Sequence, residues 1–340
     1  MKRITGLNRT SSSQYDHDEG TADNLALLQQ MQSRIADVLL GKEEVIARAM
    51  SALLAGGHIL LEDVPGVGKT MLAGAFARTI GGDFSRIQLT SDMQPYDVTG
   101  GSVWDAGSGK FTFQPGPIMS HVVLADELNR TSPRTQSALL EAMEERTVTV
   151  DGTTRRLPQP FMLLATQNPL HDNGTFPLPA AQMDRFMMRL SLGYPRPDDE
   201  IRMLENEGGR GQLALLTPIV STERWLVMQH DVMQVHVQRE LLAYVVEIAA
   251  ATRHSSELAL GASPRASRDW VRSAQATAYM EGRNYVVPDD LKATAVSVLA
   301  HRLMLHARSE ASGSSQETLL TQIMAALPLD PGSSGRRRTS

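Results

Sequence analysis

His58-Ile-Leu-Leu-Glu-Asp-Val-Pro-Gly-Val-Gly-Lys-Thr70 is the stretch that decides the fold. Ile59, Leu60 and Leu61 make a short apolar run suited to a buried strand. Gly66 and Gly68 interrupt it, and Lys69 and Thr70 then open a helix that continues over 71–77. Strand, glycine loop and helix in that order form a phosphate-binding loop. Glycines let backbone N–H groups close on an anion, and the helix N-terminus adds partial positive charge. Lys69 adds a full charge, and Thr70 offers a hydroxyl, a hard oxygen of the kind Mg²⁺ prefers. The expected anion-binding residues are Pro65, Gly66, Val67, Gly68, Lys69, Thr70 and Met71. The common pattern G-x-x-x-x-G-K-[ST] has glycine where this chain has Asp63, but the cradle over 66–70 is complete.

Outward from this loop, 121–127 (His-Val-Val-Leu-Ala-Asp-Glu) reads as a buried strand that ends in two carboxylates. Ligands of open parallel sheets bind at that C-terminal edge. Asp126 is therefore expected to hold Mg²⁺, and Glu127 to polarise an attacking water as general base. The run 161–168 is a further strand, ending in Asn168 just before Pro169. An amide there can position that water, or serve as a turn-former ahead of proline. With 58–62, 86–89 and 186–192, these runs alternate with helical stretches. Short buried runs between helices predict a parallel sheet covered on both faces.

From about 198 onward the pattern is helical, over 238–253, 263–280 and 289–305. Leu241, Leu242, Val245, Val246, Ile248 and Ala249 are expected on one buried side of the first of these. Tyr194-Pro195-Arg196-Pro197 is a natural hinge, because proline stiffens the chain and ends the preceding strand. The expected organisation is a flexible tail at 1–20, an α/β core at 21–193, a helical lid at 194–330 and a second tail at 331–340. Residues 307–316 read as a linker before a short helix at 317–327. The second tail ends in Arg336, Arg337 and Arg338.

Two inserts read as hairpins: 100–117, with turn residues at 106–109, and a second built on the Asp151-Gly152 turn. Trp104 and Phe113 are expected to pack against the sheet, with contact to a client as the alternative. Arg185 follows Asp184 at the start of a strand; it reads as a surface pair with that acid or as a cation supplied to a phosphoryl group. In Ser263-Pro264-Arg265 the serine suits an N-cap and the proline the first helical position. Arg265 then opposes the helix dipole, which fits either an anionic ligand nearby or a solvated arginine.

The composition bounds the function. The chain has 340 residues, enough for about two domains. Net charge is −5, which argues against bulk-charge wrapping of nucleic acid. Cysteine is absent, so there is no thiol nucleophile or Cys-based zinc site. The apolar runs are far shorter than the about 18 residues of a membrane span. The polar N-terminus lacks the apolar core of a signal peptide, and a soluble cytoplasmic protein is expected. No His pair has metalloprotease spacing with an acid.

Together these residues resemble the MoxR family of AAA+ ATPases over about 25–328. The resemblance rests on the loop 63–70, on Leu124-Ala-Asp-Glu-Leu-Asn-Arg130, on 135–145 and on Ala165-Thr-Gln-Asn-Pro169. Phe176-Pro-Leu-Pro179, Asp184-Arg-Phe186 and Gly261-Ala-Ser-Pro-Arg-Ala266 extend it. It implies ATP with Mg²⁺, held between subunits of a ring that is usually a hexamer. It implies sensor 1 at Asn168, an arginine finger at Arg185 and sensor 2 at Arg265. It also implies a chaperone-like role in maturing protein complexes, often with partners carrying von Willebrand factor A domains. Two other functions compete with protein remodelling. A nucleic-acid ring motor needs a basic pore, for which Lys110, Arg155 and Arg156 are a thin supply; a nucleotide-gated assembly switch needs no Glu127.

Overall fold

A computed structural model of the chain describes residues 12–167, 175–205 and 209–329. It opens with α1 (Ser12–Val38) and α2 (Glu43–Leu54), which lead into β1 (Ile59–Glu62) and α3 (Lys69–Thr79). Helix α1 begins inside the segment expected to be tail. No proline lies between 12 and 38, and the turns that bury Leu28, Met31 and Ile35 let the helix extend back through polar residues.

β2 (Phe84–Gln88) and α4 (Pro95–Thr99) precede an antiparallel hairpin of β3 (Gly100–Asp105) and β4 (Lys110–Pro115). β5 (Val122–Asp126) and α5 (Pro133–Glu145) follow. A second hairpin, β6 (Thr147–Val150) with β7 (Thr153–Arg156), turns at Asp151 and Gly152, both at positive φ. β8 (Met162–Gln167), α6 (Ala180–Met183) and β9 (Met188–Leu190) complete the sheet region. The five-stranded sheet has the order β2-β5-β8-β1-β9, every pair parallel. All five expected strands are in it. The last is shorter than expected, because only 188–190 finds partners on β1.

Side chains alternate across the sheet, as the pleat dictates. Ile59, Leu61, Leu124 and Leu164 face one apolar layer, while Leu60, Val123, Leu163 and Ala165 face the other. The first layer is closed by α1, α2 and α3 and runs on into the helical region; the second is closed by α5 through Leu139, Leu140 and Met143.

Beyond the sheet come α7 (Pro197–Glu205), α8 (Arg210–Leu215), α9 (Thr222–Val232) and α10 (Arg239–His254). β10 (Leu258–Leu260) pairs with β11 (Met304–Leu305) around α11 (Pro264–Met280) and α12 (Pro288–Leu299). The helix expected to reach 305 stops at Leu299 and gives way to a 3-10 turn before that strand. The expected linker contains a short helix, α13 (Ala307–Ala311), ahead of α14 (Gln316–Ala326). Trp225 and Trp270 are fully buried and anchor this helical core. On α10, Leu241, Val245, Ile248 and Ala249 are buried, but Leu242 and Val246 face solvent. The buried arc is thus narrower than the apolar pattern.

Trp104 is also a correction. It projects from the first hairpin, 55% exposed, and stacks edge-on with Phe111 at 5.2 Å instead of packing on the sheet. Phe113 lies under the Arg155 guanidinium, 3.9 Å from its ring centre, which joins the two hairpins.

Candidate functional site

The parallel strands bring the C-terminal ends of β1 and β5 to one edge. There the loop 63–68 and the acids 126–127 line a polar cleft of about 480 Å³. Gly66 and Gly68 have φ of +88° and +103°, a region open to glycine, and a side chain added at Gly66 would meet nothing within 4 Å. Gly68 caps α3 without any side-chain hydrogen bond, so the first N–H groups of that helix are free of a capping side chain. Lys69 Nζ donates to the Asp63 carbonyl at 3.0 Å, which holds it at the mouth of the loop. Thr70, Asp126 and Glu127 share the cleft.

The acids are held tightly. Asp126 accepts from Arg86 Nε at 3.1 Å and Nη2 at 2.5 Å, and from the Thr166 hydroxyl at 2.6 Å. Glu127 adopts φ +58°, uncommon for a residue with a side chain, and its N–H donates to the Thr166 oxygen at 2.8 Å. One hydroxyl therefore fixes the Asp126 carboxylate and the Glu127 backbone. Glu127 Oε2 accepts from Arg130 at 2.9 Å and Gln88 at 3.3 Å. Reading the sequence missed Arg86, Gln88 and Thr166. Their signal was position: Gln88 closes β2 and Thr166 lies one residue from the end of β8, both on the strand edge where ligands gather.

Asp63 explains its departure from the motif. Its buried carboxylate accepts from Ser191 Oγ at 2.7 Å, Leu192 N at 2.7 Å and Gly193 N at 2.9 Å. The loop is thereby fastened to the segment that leads into the 194–197 hinge.

A second, largely apolar pocket of about 430 Å³ adjoins the cleft and shares Pro65, Gly66, Gly68 and Met71 with it. Val38, Leu39, Tyr194 and Met203 are among its walls. Lys42 Nζ donates to the carbonyls of Gly193 at 3.2 Å and Tyr194 at 2.8 Å, which ties the turn after α1 to the hinge. An anion cradle beside an apolar slot suits a molecule with phosphates at one end and an aromatic base at the other. A hydroxyl beside a carboxylate suits a hard divalent cation among those phosphates, so the residues present fit Mg²⁺-nucleotide.

Arg185 and Arg265 are elsewhere. Arg185 precedes β9, and Arg265 begins α11; both ion-pair with Glu144 at the end of α5, at 3.3 and 3.1 Å. His58, which precedes β1, contacts the neighbouring Met143 carbonyl at 3.2 Å. These groups therefore lie at the N-terminal edge of the sheet. Strands of four to six residues put about 13–20 Å between that edge and the cleft. Asn168 and the tail 331–340 fall outside the described residues.

Comparison with known proteins agrees with this geometry. Residues 58–188 match the model of the ATPase family associated with various cellular activities (AAA), and residues 250–323 match the AAA lid domain. The chain is 46% identical to the uncharacterized protein YeaC of Bacillus subtilis, over 88% of this chain and 94% of that one. It is 38% identical to the chaperone MoxR1 of Mycobacterium tuberculosis, over 92% and 84%. A crystal structure of a candidate ATPase from Cytophaga hutchinsonii superposes with a TM-score of 0.87 at 35% identity, covering 92% of this chain and 98% of that one. Among the described residues no helix is long and apolar enough to cross a membrane. With a nucleotide-shaped cleft, an AAA lid and relatives matched along most of their lengths, the chain belongs to the MoxR family of AAA+ ATPases.

Proposed function

We propose that the chain binds Mg²⁺-ATP and hydrolyses it to ADP and phosphate, in a ring of copies that remodels a protein client. The observation that carries the reading is the convergence in one cleft of a glycine loop, a helix N-terminus, Lys69 and the paired acids of β5. The backbone N–H groups of 66–71 and Lys69 bind the phosphates, and the apolar pocket takes the base. Thr70 and Asp126 would hold the metal ion, which when bound screens the phosphate charge. Glu127 orients a water for in-line attack and receives its proton at a carboxylate oxygen. Asn168 steadies that water.

Arg185 and Arg265 serve the nucleotide of a neighbouring copy. The support is their position at the edge of the sheet opposite the cleft of their own subunit. A cation supplied across the interface stabilises the charge that develops on the transferring phosphoryl group. The client role rests on the relatives, one of which bears the name chaperone. A von Willebrand factor A domain protein is the client class that the family suggests. A nucleic-acid motor is disfavoured by the net charge of −5 and by the thin supply of basic residues on the hairpins, Lys110, Arg155 and Arg156.

Two variants test the site. Lys69→Ala is expected to lose ATP binding by calorimetry. Glu127→Gln is expected to bind ATP normally and lower turnover by about 100-fold or more. Normal turnover in both would refute the assignment. Trapping a client on the Glu127→Gln protein with ATP tests the remodelling role; a salt-sensitive shift of DNA instead would favour the motor.

A further inference from the structure

We propose that Glu144 is a positioning residue for hydrolysis in the neighbouring copy: a single carboxylate orients both trans-acting arginines. The proposal rests on the reading that Arg185 and Arg265 serve the adjacent subunit's nucleotide. The two carboxylate oxygens are divided between them. Oε2 meets Arg185 Nε at 3.3 Å, and Oε1 accepts from Arg265 Nη1 at 3.1 Å. Because Arg185 is gripped at Nε, both of its terminal amino groups stay available. Arg265 keeps Nη2 and Nε. Neither guanidinium has another hydrogen-bond or ion-pair partner among the described residues.

The backbones behind the two arginines are already locked together. Asp184 accepts from Ser263 Oγ at 2.9 and 3.0 Å, and Ser263 caps the helix that carries Arg265. Buried Arg302 donates to the Phe186 carbonyl at 2.6 Å and to Asp269 at 2.9 Å, and pairs with Asp184 at 3.6 Å. The freedom that remains is in the long arginine side chains, each with about 2 kcal/mol of rotamer entropy. Two guanidiniums brought side by side also repel. A carboxylate between them removes both obstacles before any phosphate arrives. Glu141 and Glu145 share the concavity beside Arg185 but pair with neither arginine, which singles out Glu144. All three partners are partly exposed, at 28–40%. Such pairs add little to stability, so the arrangement is better accounted for by function than by folding.

The test is a set of subunit mixtures. Glu144→Ala alone is expected to lower kcat about 10-fold, with unchanged KM, ATP affinity and melting temperature. Glu144→Gln, which keeps the size and an acceptor oxygen, should fall between it and the parent. Glu127→Gln has a stalled cleft but intact arginines. In an equimolar mixture, half of the Glu144→Ala clefts gain a competent neighbour, and turnover per Glu144→Ala subunit should rise about five-fold. Arg185→Ala mixed with Glu127→Gln is the reference. If that mixture recovers and the Glu144→Ala mixture does not, Glu144 has no part in trans and the reading of the arginines stands. Full turnover by Glu144→Ala alone, or a fall in its melting temperature that accounts for the lost activity, overturns the proposal in the same way. If neither mixture recovers, the trans reading itself fails.

Discussion

Asp63 shows how one side chain can replace a motif residue and take on different work. Glycine at this position would give the common phosphate loop, yet the carboxylate here answers two backbone N–H groups, one of them buried, and a hydroxyl. Hydrogen bonds to a charged acceptor are worth about 1.5–3 kcal/mol each, and orphaned buried N–H groups are costly. Asp63→Gly, which completes the motif on paper, is therefore expected to destabilise the protein by about 3 kcal/mol, read from its denaturant midpoint. Asp63→Asn keeps one acceptor but turns an amide toward donors, so its loss should be intermediate. An Asp63→Gly protein as stable as the parent would show that the acid does not hold the hinge segment. The role was not legible in the sequence because the partners lie 128–130 positions away. The cleft residues themselves were legible: Gly66, Gly68, Lys69, Thr70, Asp126 and Glu127 all line one cavity. Their local order along strand, loop and helix carries the signal.

Between elements, His58 joins three pieces of the core. Its Nδ1 accepts from the Leu163 N–H at 3.0 Å, so the ring proton sits on Nε2 and donates to the Met143 carbonyl at 3.2 Å. β1, β8 and α5 meet on this neutral ring. Burial disfavours its charged form and pushes its pKa down to about 4. An unfolded histidine titrates near 6.5, so between those values the unfolded chain binds more protons. Stability from this group is complete above about pH 6.5 and falls by about 3 kcal/mol as the pH drops toward 4. His58→Gln, which offers one donor and one acceptor, should flatten the pH dependence of the melting temperature in that window. An identical pH slope in parent and variant would remove His58 as the cause. Elements of this kind were largely readable, since short apolar runs between helical stretches located all five sheet strands to within about two residues. Helix faces were less so. Leu242 and Val246 satisfy an apolar period on α10, but only the packing of α11 and α14 decides which side of it is covered. Trp104 failed for the converse reason: an aromatic residue in a hairpin reads as core until the hairpin is seen to stand away from it.

At the scale of the whole molecule, the two edges of the sheet divide the chemistry. The C-terminal edge carries the cleft; the N-terminal edge carries Arg185, Arg265 and Glu144, drawn from α5, the start of β9 and the lid. No local pattern could have placed these three side chains together, because Glu144 and Arg265 are 121 positions apart. On the proposed reading, a subunit built in this way would hold both halves of a hydrolytic site without being able to join them. A second copy, with its N-terminal edge against the first copy's cleft, would then complete the set. Turnover per subunit is therefore expected to rise with protein concentration through the assembly range and then level off. Nucleotide affinity should change much less, since the phosphate loop and the apolar pocket belong to one chain. Arg185→Ala should remove the rise, lowering the plateau kcat by on the order of 10³-fold while leaving ATP binding intact. The measurement is specific activity across a dilution series, with assembly followed in parallel by sedimentation. Flat activity across a range in which the sedimentation coefficient falls would mean that each subunit completes its own site, and that the arginine edge serves another purpose.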